Sequence, residues 1–339
     1  MIQQTIPTWQ VSDWKGELAG AVTSARELLL RLDLADSPLA GRVLGATDFP
    51  VRVPVPYLSR MRRGDPDDPL LRQVLPLAEE ERSTPGFDTD PLQESRHNPV
   101  PGVVHKYRGR LLLVVSPACA INCRYCFRRH FPYRENTLGK REWRQALDYI
   151  AGDNSIREVI LSGGDPLATG DEHLRWLVDA IAGIPHVERL RVHTRLPVVI
   201  PGRIDERCLA WLTGTRLRPV MVLHINHGNE IDNDVAAMAA RLRQKDVVLL
   251  NQAVLLRGVN DSAEALESLS EKLFAAGILP YYLHLMDPVA GAGHFDIPEK
   301  EALRLYAALQ ARVSGYLLPK LVREIPGAAA KSQVGHRGL

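Results

Sequence analysis

Three of the chain's four cysteines lie within eight residues. They are Cys119, Cys123 and Cys126, in the stretch CAINCRYCFRRH, with the spacing C-x3-C-x2-C. Three thiolates on one short loop can hold a soft metal centre. Structural zinc usually takes four protein ligands in two separated pairs. The fourth cysteine, Cys208, lies about eighty residues further on in a helix-like segment, where we expect a small buried apolar residue rather than a ligand.

A [4Fe–4S] cluster would explain why there are three cysteines and not four. Three thiolates bind three of the irons and leave the fourth iron for a ligand that is not protein. Further along, LSGGDPL places Gly163, Gly164 and Asp165 directly after a predicted strand. Adjacent glycines expose backbone N–H and C=O groups to a closely bound ligand. A plain turn gives the same pattern, so this segment is a weak indication when taken alone.

Length and composition describe an ordinary globular protein. The 339 residues fit one large domain with an extension. Apolar residues make up 45% of the chain and the net charge is +2, which does not favour binding to nucleic acid or membranes. The N-terminus shows no signal peptide pattern, and no apolar run reaches the roughly 18 residues of a membrane helix. Clustered cysteines without a disulfide framework predict a reducing, cytoplasmic location.

Strand-like and helix-like segments alternate from residue 106 onward. Six apolar runs read as buried strands: 111–115, 159–162, 190–194, 220–226, 247–256 and 279–286. Amphipathic segments such as KREWRQALDYIAG and DEHLRWLVDAIAG separate them. Six strand–helix units in a row predict an α/β fold with a parallel sheet, either open or curled into a partial barrel. Chemistry is expected at the carboxyl ends of the strands, and the cysteines follow the first of them.

The regions before and after this array have a different character. Residues 1–105 are rich in proline and aspartate and predict a mainly helical N-terminal extension that covers the body. Within it, residues 12–34 have helical periodicity, with Ser12 or Asp13 as the N-cap. Residues 106–325 form the predicted body, and residues 326–339 form a C-terminal tail.

The cysteine spacing, with Tyr125 before the last cysteine, resembles that of the radical S-adenosylmethionine (SAM) superfamily. The resemblance implies a partial (β/α)6 barrel, a [4Fe–4S] cluster and SAM, with the GGD segment near the SAM methionine. Residues 106–331 resemble more closely the lysine 2,3-aminomutases, which also use pyridoxal 5′-phosphate (PLP). The stretches HTRLPVVIPGRI, HINHGNEI, NQAVLLRGVND, YYLHLMDPVAGAGHF and REIPGAAAK carry this likeness. It implies an isomerase that converts L-α-lysine to β-lysine.

The resemblance also implies roles for single residues at the PLP end of the site. Lys331, in PGAAAK, takes the place of the lysine that holds PLP, although alanines stand where the family is rich in glycine. Lys106 and Arg110 match the basic pair that contacts the PLP phosphate. Lys106 stands where arginine is more usual, so a point charge replaces a bidentate fork. Exposed lysines and arginines would give the same pattern in sequence.

The implied substrate contacts lie at opposite ends of lysine. Arg128 matches the residue that binds the substrate carboxylate, and Asp287 matches one of two acids that bind the distal ammonium. Glu324 falls where the second acid would be an aspartate. His224 and Gln252 match residues around the SAM site, although a hydrogen-bonded core histidine is an equal alternative.

Within the family, the length, the short tail and the pattern TWQVSDWKGELAGAVT resemble the bacterial enzymes that make β-lysine for elongation factor P. Expected partners are L-lysine and an electron donor such as flavodoxin or ferredoxin, and a homodimer is possible. Three alternatives stay open at this point. The chain could be a catabolic or osmolyte-making aminomutase, a radical SAM enzyme without PLP, or a zinc-binding scaffold without catalysis.

Overall fold

The computed structural model describes residues 13–45, 47–133 and 138–335. Nine strands form one sheet in chain order. The strands are β1 Val103–Tyr107, β2 Arg110–Ser116, β3 Glu158–Gly163, β4 Arg189–Thr194, β5 Arg218–Leu223, β6 Val248–Leu255, β7 Leu279–Leu285, β8 Lys320–Arg323 and β9 Ser332–Gln333. Neighbours from β2 to β8 pair in parallel. The two outer pairs, β1 with β2 and β8 with β9, are antiparallel.

Helices connect the parallel strands as expected for an α/β fold. They are α1 Trp14–Ala19, α2 Ala25–Arg31, α3 Val55–Leu58, α4 Pro69–Arg72, α5 Lys140–Gly152, α6 Asp171–Ala182, α7 Leu196–Val199, α8 Glu206–Thr213, α9 Asn233–Arg243, α10 Ala263–Ala275 and α11 Glu299–Gln310. N-terminal caps explain where several helices begin. The side chains of Asp205, Asp232 and Ser262 each accept a hydrogen bond from the backbone N–H three residues later. The predicted α/β class with a mostly parallel sheet is confirmed.

Every predicted strand and connecting helix is present, but three strands were not predicted. Strand β1 spans the predicted boundary between the N-terminal extension and the body, and β8 and β9 lie near the C-terminus. Strand β8 has only four residues and β9 only two. Such short segments carry too little alternation to be separated from a loop, because periodicity needs several residues to become visible.

The prediction of one helix over residues 12–34 was wrong. Two helices lie there, and the chain between them is extended at Val22, which pairs with Val53. Gly20 ends α1, and Ser24 caps α2 by accepting from the backbone N–H of Glu27. Asp13 caps α1, which confirms one of the two predicted N-caps. Ser12 lies outside the described residues.

The N-terminal segment shares its core with the sheet. One continuous cluster of buried apolar side chains joins residues such as Trp14, Leu28 and Leu70 to Leu113 and Val192 in the strands. Because this core has no break, the segment is packed into the body and can contribute side chains to the site. Within the described residues, no helix has the length and apolar character needed to cross a membrane.

Candidate active site

The cysteine loop leaves the carboxyl end of β2 and is fixed by the N-terminal segment. Asn122 donates through its backbone N–H to the carbonyl of Arg52 at 3.2 Å and through Nδ2 to the carbonyl of Pro50 at 2.8 Å. The backbone N–H of Arg124 donates to the carbonyl of Gln73 at 2.9 Å. The extension that was predicted as a cover therefore positions the loop that carries the three thiols.

A buried carboxylate beside the loop adds to this attachment. Glu80 accepts from Arg124 Nε at 2.8 Å and from Arg129 Nη2 at 2.8 Å, and all three side chains are almost fully buried. The two arginines therefore belong to the interior. Removing Glu80 would leave two buried guanidinium groups with fewer partners, which is costly in a low-dielectric environment.

The three clustered cysteines are free and half-buried, whereas Cys208 is fully buried in α8. Burial and the neighbouring Cys123 raise the pKa of Cys126 to about 11. Among the described residues, no three Cys, His, Asp or Glu side chains converge on a single metal-ion position. A [4Fe–4S] cluster does not require such convergence, because each thiolate binds a different iron. The donor set, three free thiols on one fixed loop, fits such a cluster.

Two glycines let the end of β3 lie directly against the cysteine loop. Gly163 has φ of +125°, and a Cβ built there would lie 2.5 Å from the carbonyl oxygen of Ser116. A Cβ on Gly164 would lie 2.6 Å from the carbonyl oxygen of Ala118. Both distances are too short for any side chain. The glycines are therefore explained by close backbone packing next to the cysteines, whatever ligand they also contact.

We expect Gly163→Ala to destabilise the fold and reduce cluster loading. A Cβ at this position combines an unfavourable φ with a clash against backbone, at a cost of about 3 kcal/mol. Gly170→Ala is the matched control, because its Cβ would meet open space and its φ is −68°. Chemical unfolding and iron content measure both variants. Equal stability of the two variants would contradict this explanation.

Asp165 is buried and uses its carboxylate within the protein. Its Oδ1 accepts from Leu167 N and Thr194 Oγ1, at 3.0 and 2.7 Å, and its Oδ2 accepts from Arg195 N and Leu196 N, both at 2.8 Å. Three of these four donors, from Thr194, Arg195 and Leu196, join the end of β3 to the end of β4. The carboxylate of Asp165 is therefore taken up within the protein, and any contact of the GGD segment with a cofactor would come from its backbone N–H and C=O groups.

Lys106, Glu324 and Lys331 form a chain of charges where β1 faces the end of β8. Glu324 accepts from Lys106 Nζ at 2.9 Å through Oε1 and from Lys331 Nζ through Oε2. Burial alone would raise the pKa of Glu324, but the two ammonium groups lower it to about 2. Arg110 stacks on the ring of Tyr107 at 4.6 Å. The predicted PLP lysine and one predicted phosphate ligand thus meet at the predicted substrate acid.

Asp287 follows β7 and is coupled electrostatically to the same group of charges. Burial, reinforced by the negative charge of Glu324, raises the pKa of Asp287 to about 7, while Lys331 and Lys106 oppose the shift. The two predicted substrate acids thus lie at the ends of the neighbouring strands β7 and β8. They have opposite pKa shifts, because only Glu324 has direct ammonium partners.

Most N–H donors of the Arg128 guanidinium are already used by protein acceptors. Its Nε and Nη2 donate to both oxygens of Glu94, at 2.7 and 2.9 Å, and its Nη1 donates to Ser162 Oγ and the carbonyl of Gly163 at 3.1 and 3.2 Å. Glu94 also lies 3.6 Å from Lys106. The sequence did not single out Glu94, because it lies in the proline-rich region, 34 residues before its partner. Its neighbours DPL and QES resemble a plain turn.

Three half-buried histidines belong to the sheet region: His193 in β4, His224 directly after β5 and His284 in β7. His224 Nε2 is 2.8 Å from Gln252 Nε2, and the rings of His193 and His224 make an edge contact at 6.1 Å. Burial, helped by the positive charges of Arg195 and Arg128, lowers the pKa of His224 to about 3. His193 Nε2 and His284 Nε2 are buried without a partner among the described residues. The structure thus brings His224 and Gln252 together, and their place at the SAM site stays a prediction.

Comparison with known proteins identifies the family. The radical SAM superfamily profile matches residues 113–269. A Haemophilus influenzae protein named L-lysine 2,3-aminomutase is 50% identical over 320 residues, which cover 94% of this chain and 95% of the relative. The chain belongs to the L-lysine 2,3-aminomutase family. The Escherichia coli relative of that name is 50% identical and covers 97% of this chain and 96% of the relative.

A more distant member of the L-lysine 2,3-aminomutase family is longer. The Clostridium subterminale relative is 33% identical over 95% of this chain, which corresponds to 78% of the relative. Membership in the radical SAM family implies a [4Fe–4S] cluster and SAM, which agrees with the three free thiols on the loop after β2. These findings disfavour the zinc scaffold among the alternatives.

Proposed function

We propose that this protein is an L-lysine 2,3-aminomutase that converts L-α-lysine to β-lysine with a [4Fe–4S] cluster, SAM and PLP. One observation carries the proposal: Lys331 and Glu324 form an ion pair beyond β8, next to the end of β7 that carries Asp287, and Lys106 links this pair through Glu94 to Arg128. This arrangement offers a lysine for PLP and acids for an ammonium, and one N–H of Arg128 Nη2 is left for a carboxylate. A diamino acid carries both of those charged ends.

The chain's own residues account for binding and orientation. Lys331 would hold PLP through Nζ, and Lys106 and Arg110 would hold its phosphate. Asp287 and Glu324 would bind the distal ammonium of lysine, and Arg128 its carboxylate. Two fixed ends restrict the substrate to one orientation, which a radical reaction needs in order to select one C–H bond. When bound, the cluster and SAM supply a carbon radical, and PLP stabilises the radical that carries the migrating nitrogen.

The test is direct product analysis. Protein reconstituted without oxygen is incubated with L-lysine, SAM, PLP and dithionite, and β-lysine is sought by chromatography and mass spectrometry. A Cys123→Ala variant supplies the matched inactive control. Cleavage of SAM without β-lysine would point to another substrate. Product formation without added or bound PLP would support the PLP-independent alternative.

The two acids at the ammonium end predict a pH-dependent affinity for lysine. With a pKa near 7, Asp287 is mostly protonated at pH 6 and mostly ionised at pH 8, so lysine affinity should rise about tenfold over this interval. Glu324, Lys331, Lys106 and Glu94 are the other charged groups that act on this carboxyl. The distal ammonium of lysine stays charged throughout.

The corresponding measurement is the KM for L-lysine between pH 6 and 8. Asp287→Asn is the control, since an amide does not titrate, and its KM should be higher and vary little with pH beyond effects on lysine itself. If wild-type and Asp287→Asn proteins show the same pH profile, Asp287 does not bind the ammonium.

We also propose that the β-lysine serves the modification of elongation factor P. Support comes from the N-terminal pattern noted in the sequence. Cells that lack this protein should carry elongation factor P without β-lysine. Normal β-lysylation in such cells would rule out this role while leaving the aminomutase activity possible.

A further inference from the structure

A buried arginine contacts one of the three clustered cysteines. Arg195 comes directly after β4, and its side chain is almost entirely buried. Its Nη1 lies 2.7 Å from Cys123 Sγ and donates to Tyr125 Oη at 2.6 Å. Because a guanidinium stays protonated in proteins, the predicted ligand sulfur has a permanent positive charge and a hydrogen-bond donor beside it.

Several segments hold this guanidinium in place. Nη2, which carries two N–H groups, lies within hydrogen-bond distance of Tyr57 Oη, Gln73 Oε1 and Glu230 Oε2, at 3.0, 2.7 and 2.9 Å. The backbone N–H of Arg195 donates to Asp165. Tyr57 and Gln73 belong to the N-terminal segment, and Glu230 follows β5. The side chain therefore cannot turn away from the sulfur without breaking contacts on several sides.

The position of Arg195 is not explained by full use of its donors. Arg195 Nε is buried and has no hydrogen-bond partner among the described residues. A buried donor without a partner costs about 1–3 kcal/mol. The side chain keeps this position, in which Nη1 contacts Cys123 and Tyr125.

We propose that Arg195 is a positioning residue that raises the reduction potential of the [4Fe–4S] cluster through its hydrogen bond to Cys123. Hydrogen bonds to ligand sulfurs and local charge are among the factors that set such potentials. One electron from a low-potential donor such as dithionite makes the cluster more negative. A positive donor at a ligand sulfur stabilises that reduced state more than the oxidised one. The role is independent of which amino acid is the substrate.

The first experiment compares midpoint potentials of the reconstituted protein by EPR-monitored redox titration. In Arg195→Gln/Glu230→Gln both partners of the buried ion pair become neutral, so neither charge is left alone. Because Arg195 is the partner in contact with the sulfur, the equilibrium constant for reduction should fall at least tenfold, which is about 59 mV for one electron. Glu230→Gln alone keeps the arginine and should not lower the potential.

A matched control removes another buried arginine pair. Arg203 is fully buried and donates to Asp171 at 2.7 Å, and its other acceptors are the carbonyls of Leu167 and Thr169 rather than any of the three clustered cysteines. Arg203→Gln/Asp171→Asn should leave the potential unchanged. Iron and sulfide content checks that each variant holds its cluster. A wild-type potential in an iron-loaded Arg195→Gln/Glu230→Gln variant would overturn the proposal.

The second experiment looks for the contact itself, first in wild-type protein. Wild-type protein is prepared with arginine labelled with 15N at its terminal guanidinium nitrogens, and the reduced cluster is examined by pulsed EPR. We expect a 15N hyperfine coupling that is lost or clearly weakened in labelled Arg195→Lys, where only couplings to other arginines such as Arg128 remain. No coupling in the wild-type spectrum, or a spectrum that is unchanged in Arg195→Lys, would overturn the proposal.

Discussion

Replacing Lys331 with alanine should abolish β-lysine formation, lowering turnover by at least about a thousandfold, or about 4 kcal/mol in the activation barrier. The reason is that Nζ is the proposed attachment point of PLP, and no neighbouring side chain in the described tail repeats it. The fold should survive, because Lys331 is partly exposed and Glu324 keeps its contact with Lys106 at 2.9 Å. The measurement combines product analysis with the visible absorbance of bound PLP.

Two other lysines make this experiment decisive. Lys320 is exposed on β8, in the same part of the chain, and Lys320→Ala should behave as wild type. Lys106 also contacts Glu324 and is the other nearby ammonium. If Lys331→Ala keeps the absorbance and Lys106→Ala loses it, PLP is attached to Lys106 instead. If both variants keep the absorbance and the turnover, the proposed PLP site is wrong.

Much of the fold could be predicted because buried strands leave either a continuous apolar run, as in the fully buried β3, or an alternating pattern, as in β4. The predicted strand at residues 190–194 differs from β4 by one residue, and the helix predicted from KREWRQALDYIAG matches α5 in both bounds. The N-terminal segment was harder. Its order comes from caps, prolines and tertiary pairs such as Val22 with Val53, which leave little periodicity in the sequence.

The candidate site, like the fold, could be predicted only in part from the sequence. Motif spacing was enough to find the cysteines, and family likeness pointed to Lys331, Asp287 and Glu324. Sequence could not supply the partners that hold them. Glu94 and Arg195 act across 34 and 72 residues, on Arg128 and Cys123 respectively. Such pairs depend on how the segments pack, and nothing in the local sequence distinguishes a buried acid or base from an exposed one.

Arg128 should be indispensable for lysine binding, but a single substitution would combine two effects. Arg128→Ala removes the proposed carboxylate ligand and also leaves Glu94 buried without its bidentate partner, which costs about 3–5 kcal/mol of stability. Lys106, at 3.6 Å from Glu94, compensates only in part. A low yield of Arg128→Ala would therefore say little about the substrate.

The double variant Arg128→Met/Glu94→Gln separates the two effects. Neither buried charge remains, so folding and iron content should approach those of wild type. The KM for L-lysine should still rise about a hundredfold or more, because a charged hydrogen-bonded contact worth roughly 3 kcal/mol is lost. Glu94→Gln alone keeps the guanidinium and should raise the KM by less than about tenfold. A wild-type KM in the folded double variant would show that another group binds the carboxylate, since Arg128 would then serve only as the partner of Glu94.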